Sequence, residues 1–169
     1  MLSDSEKVRA IGALKFIIPI LEKYQFQWVV TGGFATLAYG VDRPLTDIDI
    51  DIDTSRNSQE FQSFLHDVES YITQPLEHFV NDSSYDNFNV ELTYNGQVLD
   101  ICPMSDLKIF NKKFGAYQSF YTGFPEIEMI DFDGITLPLL AKELVIKNKE
   151  DILRDEWDSR DIAGLKALQ

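Results

Sequence analysis

The chain has 169 residues and a mass of 19.4 kDa, a length typical of one domain with a substantial core. Apolar residues make up 44% and charged residues 25%, which excludes a disordered or fibrous chain. The formal charge of −13, from 28 acids and 15 bases, argues against a sequence-independent nucleic-acid binder, and the single cysteine excludes an internal disulfide.

The acidic excess is concentrated in the middle of the chain. Residues 47–106 carry thirteen acids and Arg56 as their only base. Such a segment attracts metal ions or a cationic substrate if it lines a cleft, and is otherwise a solvated surface. The apolar stretch from Ile11 to Leu21 is interrupted by Lys15 and Pro19 and is too short to span a bilayer. We therefore expect a cytoplasmic protein with no membrane partner.

Hydrophobic periodicity and turn residues predict the elements in chain order. The first is a helix capped by Ser3 and Asp4 that runs to about Gln25, with Pro19 bending or splitting it. The elements predicted next are a strand Phe26–Val30, the turn Thr31-Gly32-Gly33, a helix Phe34–Tyr39, a strand Thr46–Asp53, a helix Ser58–Ile72 and an acidic loop over 74–87.

The second half begins with a strong hairpin signal, Asn95-Gly96 between two runs of β-forming residues, Phe88–Tyr94 and Gln97–Ile101. An aromatic cluster from Phe114 to Phe124 follows Lys112-Lys113 and either lines an acceptor pocket or forms a packed loop. The last predicted elements are a hairpin Ile127–Phe132 and Ile135–Leu137 around Asp133-Gly134, a helix from Leu139 to about Lys149, and a helix Asp158–Leu168.

This order of elements, α-β-α-β-α-β-β-β-β-α-α, indicates an α/β (α+β) fold with a mixed central sheet flanked by helices. We expect one domain over residues 1–169, with a core at about 26–137 and a C-terminal helical segment at about 138–169.

The segment from Asp47 to Asp53 alternates aspartate with isoleucine. In a strand, residues two apart point the same way, so four carboxylates project from one face and three isoleucines from the other. Like charges in a row repel one another unless water or a cation neutralises them. A hard divalent cation such as Mg²⁺ suits this face, and an acidic edge strand that resists aggregation is the alternative.

The turn at Gly32-Gly33 ends one strand and opens a helix. Glycines at such a position let backbone N–H groups approach a phosphate, although a tight turn alone also explains them. Metal-assisted nucleotidyl transfer needs a site for the phosphates and carboxylates for the metal, and a phosphate-binding turn followed by a carboxylate pair would supply both.

Gly32-Gly33, a spacer of thirteen residues and Asp47-Ile48-Asp49 together resemble the signature of the DNA polymerase β-like nucleotidyltransferase superfamily. Asp100, in Leu99-Asp100-Ile101, matches its third carboxylate. Within the superfamily, the chain is most similar to small lincosamide and aminoglycoside nucleotidyltransferases and to AbiE-type toxin nucleotidyltransferases. Many members have Gly-Ser where this chain has Gly32-Gly33, so phosphate contact falls to backbone N–H groups.

The resemblance implies a nucleotidyltransferase fold and a Mg²⁺ cofactor held by Asp47, Asp49 and Asp100. It also implies transfer of a nucleoside monophosphate from a nucleoside triphosphate, with pyrophosphate released. Lys142 matches a lysine of some toxin-type relatives and is a candidate to meet the triphosphate. Arg43, just before the acidic strand, is a second candidate, and a solvated surface base is the alternative for both.

Hairpin geometry adds one residue to the site. If Asn95 and Gly96 form a two-residue turn, Glu91 faces Asp100 directly. Opposed carboxylates destabilise a sheet unless a metal, a cationic ligand or a proton lies between them. We expect Glu91 to take the proton from the acceptor hydroxyl or to bind an amine of the acceptor, and a surface glutamate is the alternative.

Three functions remain open from the sequence. The first is transfer of a nucleotide to a hydroxyl of a small, cationic, antibiotic-like acceptor, which the acidic middle segment favours over RNA. The second is toxin-like transfer to tRNA, which needs a basic face from Lys112-Lys113 and residues 142–149. The third is a catalytically idle relative that acts as a binding or antitoxin-like partner.

Overall fold

The computed structural model describes residues 2–80, 85–111, 114–152 and 155–168. Within these ranges the chain forms five α-helices, α1 Asp4–Lys23, α2 Gly32–Ala38, α3 Gln59–Asp67, α4 Lys142–Ile152 and α5 Glu156–Ala167. It also forms nine strands, β1 Trp28–Val30, β2 Asp47–Ile52, β3 Ile72–Val80, β4 Tyr85–Tyr94, β5 Gln97–Pro103, β6 Lys108–Asn111, β7 Ala116–Ser119, β8 Ile127–Phe132 and β9 Ile135–Leu140.

The described strands build one mixed sheet, as the element order predicted. Its order is β7-β6-β4-β5-β2-β1-β9-β8, with β3 paired to β4 outside this path. β2 runs parallel to β5 and β1 parallel to β9, whereas β1 and β2 are antiparallel. The acidic strand β2 is therefore central, and both of its neighbours can bring side chains beside its aspartates.

The core forms on the apolar face of β2. Ile48, Ile50 and Ile52 are completely buried, as the alternating pattern predicted. Helix α1 packs the buried side chains of Leu14 and Ile17 into the same cluster. Burial of the isoleucines fixes the register of β2, because a shift by one residue would place the aspartates in the core.

The predicted cap and hairpin turns are confirmed. Ser3 caps α1 in a reciprocal capping box with Glu6. The expected split at Pro19 is wrong, because α1 runs continuously from Asp4 to Lys23 with Pro19 inside it. The Asn95-Gly96 turn gives the predicted register of β4 and β5, and the turn at Gly134 joins β8 to β9. A residue pairing predicted from a turn alone thus holds along a whole hairpin.

Three strands were missed by the sequence analysis. The predicted loop over 74–87 is wrong, because β3 and the start of β4 occupy its described residues. β3 is an edge strand with register shifts around Pro75, and proline is tolerated at such an edge. β6 and β7, in the segment of the aromatic cluster, are short and largely exposed, so neither has the apolar alternation that predicts a strand.

Two predicted helix boundaries are also wrong. The helix expected over 58–72 ends at Asp67, a 3₁₀ turn follows over Glu69–Tyr71, and Ile72 begins β3. The helix expected from Leu139 begins at Lys142 instead. Leu139 is fully buried beside Val30 of β1, so burial in the sheet extends β9 past the predicted strand end.

Candidate active site

Three carboxylates from three neighbouring strands lie side by side. Asp49 of β2 is in register with Asp100 of β5, and Asp100 is in register with Glu91 of β4. Neighbouring strands are about 4.8 Å apart, so each carboxylate flanks the next. We call Asp49, Asp100 and Glu91 the carboxylate row. The structure thus brings together residues that are separated by up to 51 positions in the sequence.

Two further aspartates of β2 extend this acidic surface. Asp47 lines the same cleft and accepts a hydrogen bond from Thr46 Oγ1 at 2.8 Å. Asp51, which the family pattern leaves outside the site, is buried in the cleft and accepts a hydrogen bond from Tyr121 Oη at 2.5 Å. Asp53 is exposed and does not line the cleft, so the fourth aspartate does not belong to this surface.

The glycine turn, Thr31-Gly32-Gly33, lies directly against the carboxylate row. Thr31 N donates to the backbone oxygen of Asp49 at 3.0 Å, and the Gly33 N–H donates to the Asp49 carboxylate. Gly32 has φ of +60°, and a Cβ at this position would stand 1.9 Å from Asp49 Oδ2. The absence of a side chain at residue 32 is therefore what lets the turn and the Asp49 carboxylate meet.

Arg43 occupies the space beside the second glycine. A Cβ on Gly33 would stand 2.6 Å from Arg43 Cζ, so the guanidinium lies where a larger residue would place its side chain. Arg43 Nη1 donates to Asp161 Oδ2 at 2.5 Å, and Arg43 Nε is buried without a hydrogen-bond partner. The predicted nucleotide-binding arginine thus lines the cleft at the glycine turn, anchored by helix α5.

A buried set of ion pairs surrounds this anchor. Lys149 Nζ lies 2.8 Å from Asp161 Oδ2 and 3.0 Å from Asp158 Oδ1, and the lysine and both aspartates are almost fully buried. We call Arg43, Lys149, Asp158 and Asp161 the ion-pair cluster. The two positive and two negative charges of the cluster balance one another. The cluster therefore adds no net positive charge that would offset the negative charge of the carboxylate row.

Crowding of the carboxylates raises their pKa values. Burial, together with the charges of Asp47 and Asp100, raises the pKa of Asp49 to about 7. Burial, with Glu91 and Asp47 nearby, raises the pKa of Asp100 to about 6 despite a hydrogen bond from Asn89. Burial likewise raises the pKa of Asp51 to about 7.

The far side of the cleft is a sheet wall built by β3 and β4. Asn89 Nδ2 donates to Asp100 Oδ1 at 2.9 Å, and Asn87 Nδ2 contacts Cys102 Sγ at 3.8 Å. The Oδ1 atoms of both asparagines are buried and have no partner. Phe79, 46% exposed, also lines the cleft. This wall offers hydrogen-bond acceptors and an apolar surface to a ligand.

The cleft as a whole has a volume of about 520 Å³, within the range of small-molecule sites. Among the described residues that line it, eight are carboxylates and two, Arg43 and Lys149, are bases. Both bases belong to the balanced ion-pair cluster, so the cleft carries a strong negative potential.

The structure places Lys142 outside this cleft. Its Nζ donates to the backbone oxygen of Leu168 at 3.2 Å, and Lys149, seven residues further along α4, is the lysine that reaches the cleft. The sequence analysis did not place Lys149 or Asp51 in the cleft. The only sequence signal for Lys149 was its helical spacing from Lys142, and the only one for Asp51 was strand alternation from Asp49.

The donor set of the carboxylate row fits a divalent cation. Within the described ranges, no group of three or more His, Cys, Asp or Glu side chains is placed to hold a metal ion by itself. Mg²⁺ does not require one, because it binds one or two carboxylates and completes its shell with water and phosphate oxygens. Burial first, and then the neighbouring carboxylates, raise the pKa values of Asp49 and Asp100, and a bound cation would oppose both effects.

No helix within the described ranges has the length and apolar composition needed to cross a bilayer.

A mixed sheet with an aspartate pair on a central strand, a third carboxylate on its parallel neighbour and a glycine turn beside them defines the nucleotidyltransferase fold. The similarity to solved structures confirms the predicted fold. A protein from Thermotoga maritima that is provisionally assigned as a nucleotidyltransferase matches 86% of this chain and 84% of its own, with 18% identity and a TM-score of 0.66.

Two antibiotic-modifying enzymes share the fold. The lincosamide antibiotic adenylyltransferase LnuA, bound to lincomycin, matches 92% of this chain and 96% of its own at 21% identity and a TM-score of 0.60. ANT(2″)-Ia, in complex with adenylyl-2″-tobramycin, matches 94% and 97% at 14% identity and a TM-score of 0.51. No protein-family model matches the chain, and neither does any curated protein. At these identities the likeness shows the fold alone.

Proposed function

We propose that the chain is a Mg²⁺-dependent nucleotidyltransferase that transfers a nucleoside monophosphate from a nucleoside triphosphate to a hydroxyl of a small, cationic acceptor. The observation that carries the proposal is the carboxylate row beside the glycine turn. The row supplies negative charge for a cation, and the turn, with no side chain at residues 32 and 33, lies directly against Asp49 and Arg43 of the same cleft.

In the proposed reaction, the acceptor oxygen forms a bond to the α-phosphorus while the bond to pyrophosphate breaks. Asp47, Asp49 and Asp100 would hold Mg²⁺, which supplies positive charge to the phosphate oxygens. The chain's own contribution is placement of the two substrates. Gly32 and Gly33 leave space for the side chains of Asp49 and Arg43, so a carboxylate and a guanidinium both lie beside the backbone that would meet the triphosphate.

Glu91 is the proposed partner of the acceptor. It lies at the end of the carboxylate row, on the sheet wall, and lines the cleft. From there it takes the proton of the attacking hydroxyl or binds an amine of the acceptor. Glu91→Gln distinguishes the two roles, because loss of a base lowers kcat, whereas loss of an amine ligand raises the KM for the acceptor.

Charge favours a small cationic acceptor over tRNA. The cleft lining is strongly acidic, and it repels a phosphate backbone outside the turn. The basic face that tRNA needs is weak in the described residues: Lys142 is bonded to a backbone oxygen, Lys147 pairs with Asp151, and Lys149 is buried. Lys112-Lys113 lie outside the described residues. The oxygen atoms of Asn87 and Asn89 favour an acceptor rich in N–H or O–H groups.

Label transfer tests the proposal. Purified chain, Mg²⁺ and α-labelled nucleotides are incubated separately with aminoglycosides, lincosamides and tRNA. We expect label on a small cationic acceptor, and Asp49→Asn should reduce the rate at least about a hundredfold. Asp53→Asn is the matched control, because Asp53 is an exposed carboxylate four residues after Asp49. This variant should retain the wild-type rate. Label on tRNA alone, or transfer that survives Asp49→Asn, would contradict the proposal.

A further inference from the structure

An exposed tryptophan faces the cleft from the helical side. Trp157, in the first turn of α5, is 40% exposed and lines the cleft. Val145 and Ile152 of α4, which are almost fully buried, also line the cleft. Because a large part of the indole remains exposed to water, it stabilises the core little and can instead contact a ligand.

A chain of contacts places Trp157 on the triphosphate side of the carboxylate row. Trp157 and Asp161 are four residues apart on α5, so their side chains are neighbours on one helix face. Asp161 binds Arg43, and Arg43 lies against Gly33 of the glycine turn. The indole is therefore separated from the turn by about two side chains, a span comparable to that between the phosphates and the base of a nucleotide.

We propose that Trp157 is the stacking platform for the nucleobase of the triphosphate substrate. This inference rests on the proposed function, since it assigns the base end of the nucleotide whose phosphates meet the glycine turn. One face of the indole is covered, because the Arg160 guanidinium lies 5.1 Å from the ring centroid and is held by Glu156 at 2.5 Å. Trp157 is 40% exposed and lines the cleft, so a flat base in the cleft can stack on the ring.

The charge near Trp157 favours the nucleobase over the phosphates as the part of the nucleotide that lies against the indole. Asp155, two residues before Trp157, is exposed and lines the cleft, whereas Asp158 is paired with Lys149. The Asp155 carboxylate repels a triphosphate but not a neutral base. The proposed acceptor position is elsewhere in the cleft, on the sheet wall at the Glu91 end of the carboxylate row, where Asn89 also lies. With the phosphates and the acceptor placed elsewhere, the flat, uncharged nucleobase is the substrate group left to contact Trp157.

The two tryptophans of the chain provide a direct measurement. Trp28, on β1, does not line the cleft. In a Trp28→Phe variant, Trp157 alone reports, and we expect ATP to quench its fluorescence because the base stacks on the indole. In a Trp157→Phe variant, where Trp28 alone reports, ATP should leave the fluorescence unchanged.

Equilibrium dialysis with labelled ATP and Mg²⁺ gives the affinity. We expect Trp157→Ala to weaken ATP binding at least about fivefold, the lower end of the range for loss of one base–aromatic stack. Trp157→Phe keeps an aromatic ring and should stay within about twofold of wild type. Inorganic tripolyphosphate has no base, so its competition should be equal in wild type and Trp157→Ala. Phe114→Ala, a distant aromatic that is 62% exposed, is the control for loss of an exposed ring.

The outcomes separate the two proposals. Wild-type affinity for ATP in Trp157→Ala would overturn the platform while nucleotide binding stands. Equal weakening of ATP and tripolyphosphate would also overturn it, because the effect would then be on the phosphate site. A wild-type chain that binds no nucleoside triphosphate in the presence of Mg²⁺ would overturn the proposed function, and the platform with it.

Discussion

Replacement of Gly32 by alanine is expected to damage the site in a way that can be measured in the free energy of unfolding. The added Cβ would stand 1.9 Å from Asp49 Oδ2 and 2.6 Å from its Cγ, so the carboxylate must move. The backbone at residue 32 has φ of +60°, which costs an alanine about 1–2 kcal/mol. Forcing packed atoms apart costs about 1–3 kcal/mol more. We therefore expect Gly32→Ala to destabilise the chain by about 2–5 kcal/mol.

Gly134→Ala is the matched control for the backbone term. Gly134 also has a positive φ, +85°, but nothing lies within 4 Å of its added Cβ. Its cost should therefore be the backbone strain alone, about 1–2 kcal/mol. The difference between the two variants, measured by urea unfolding, isolates the collision with Asp49.

A double-mutant cycle assigns that collision to its partner. Asp49→Ala removes the two closest atoms and leaves Asp49 Cβ at 3.2 Å, a tight contact that a small shift relieves. In that background, Gly32→Ala should lose about 1–3 kcal/mol of its cost. If Gly32→Ala costs no more than Gly134→Ala, or costs the same with and without the Asp49 side chain, the close approach of turn and carboxylate is refuted.

Three further results are expected. Because the folded-state pKa values of Asp49, about 7, and Asp100, about 6, lie above those of the unfolded chain, stability in EDTA should fall as pH rises from 5 to 8. Added Mg²⁺ should restore the melting temperature at pH 8 only, and an equal fall in Asp49→Asn would contradict this assignment. Asp161→Asn removes the carboxylate that pairs with Arg43 and leaves Lys149 with Asp158 alone, and it should cost about 3–5 kcal/mol in urea unfolding. Lys147→Ala breaks an exposed ion pair and should cost less than about 1 kcal/mol; similar costs would refute the burial of the cluster. Ile50→Ala removes a fully buried side chain from β2 and should cost about 2–5 kcal/mol by the same method, and a cost under about 1 kcal/mol would place β2 at the surface.

The sequence predicts those parts of the site that depend on short-range geometry. Alternation in β2 predicts that Asp47 and Asp49 share a face, and the Asn95-Gly96 turn predicts that Glu91 opposes Asp100. Both patterns work because strand periodicity and two-residue turns are set by neighbouring residues. The parallel pairing of β2 with β5, which joins the two halves of the carboxylate row, was available only through the family pattern.

The parts that could not be predicted depend on contacts between distant residues. Arg43 and Asp161 are 118 residues apart, and no local pattern links them. Lys142 and Lys149 lie two turns apart on one helix, so sequence spacing alone does not decide which of them reaches the cleft. Edge strand β3 was missed for a different reason, since Pro75 is a signal against a strand that only an edge position overrides.

The pairing of Arg43 with helix α5 has a consequence for the order in which the chain becomes competent. Residues 28–103, which contain the acidic strand, the glycine turn and the hairpin, are synthesised before α5. Until residues 155–168 follow, Arg43 lacks Asp161 as its partner and the cleft lacks the side that carries Trp157. The earlier portion therefore cannot complete the lining of the cleft before α5 packs against it.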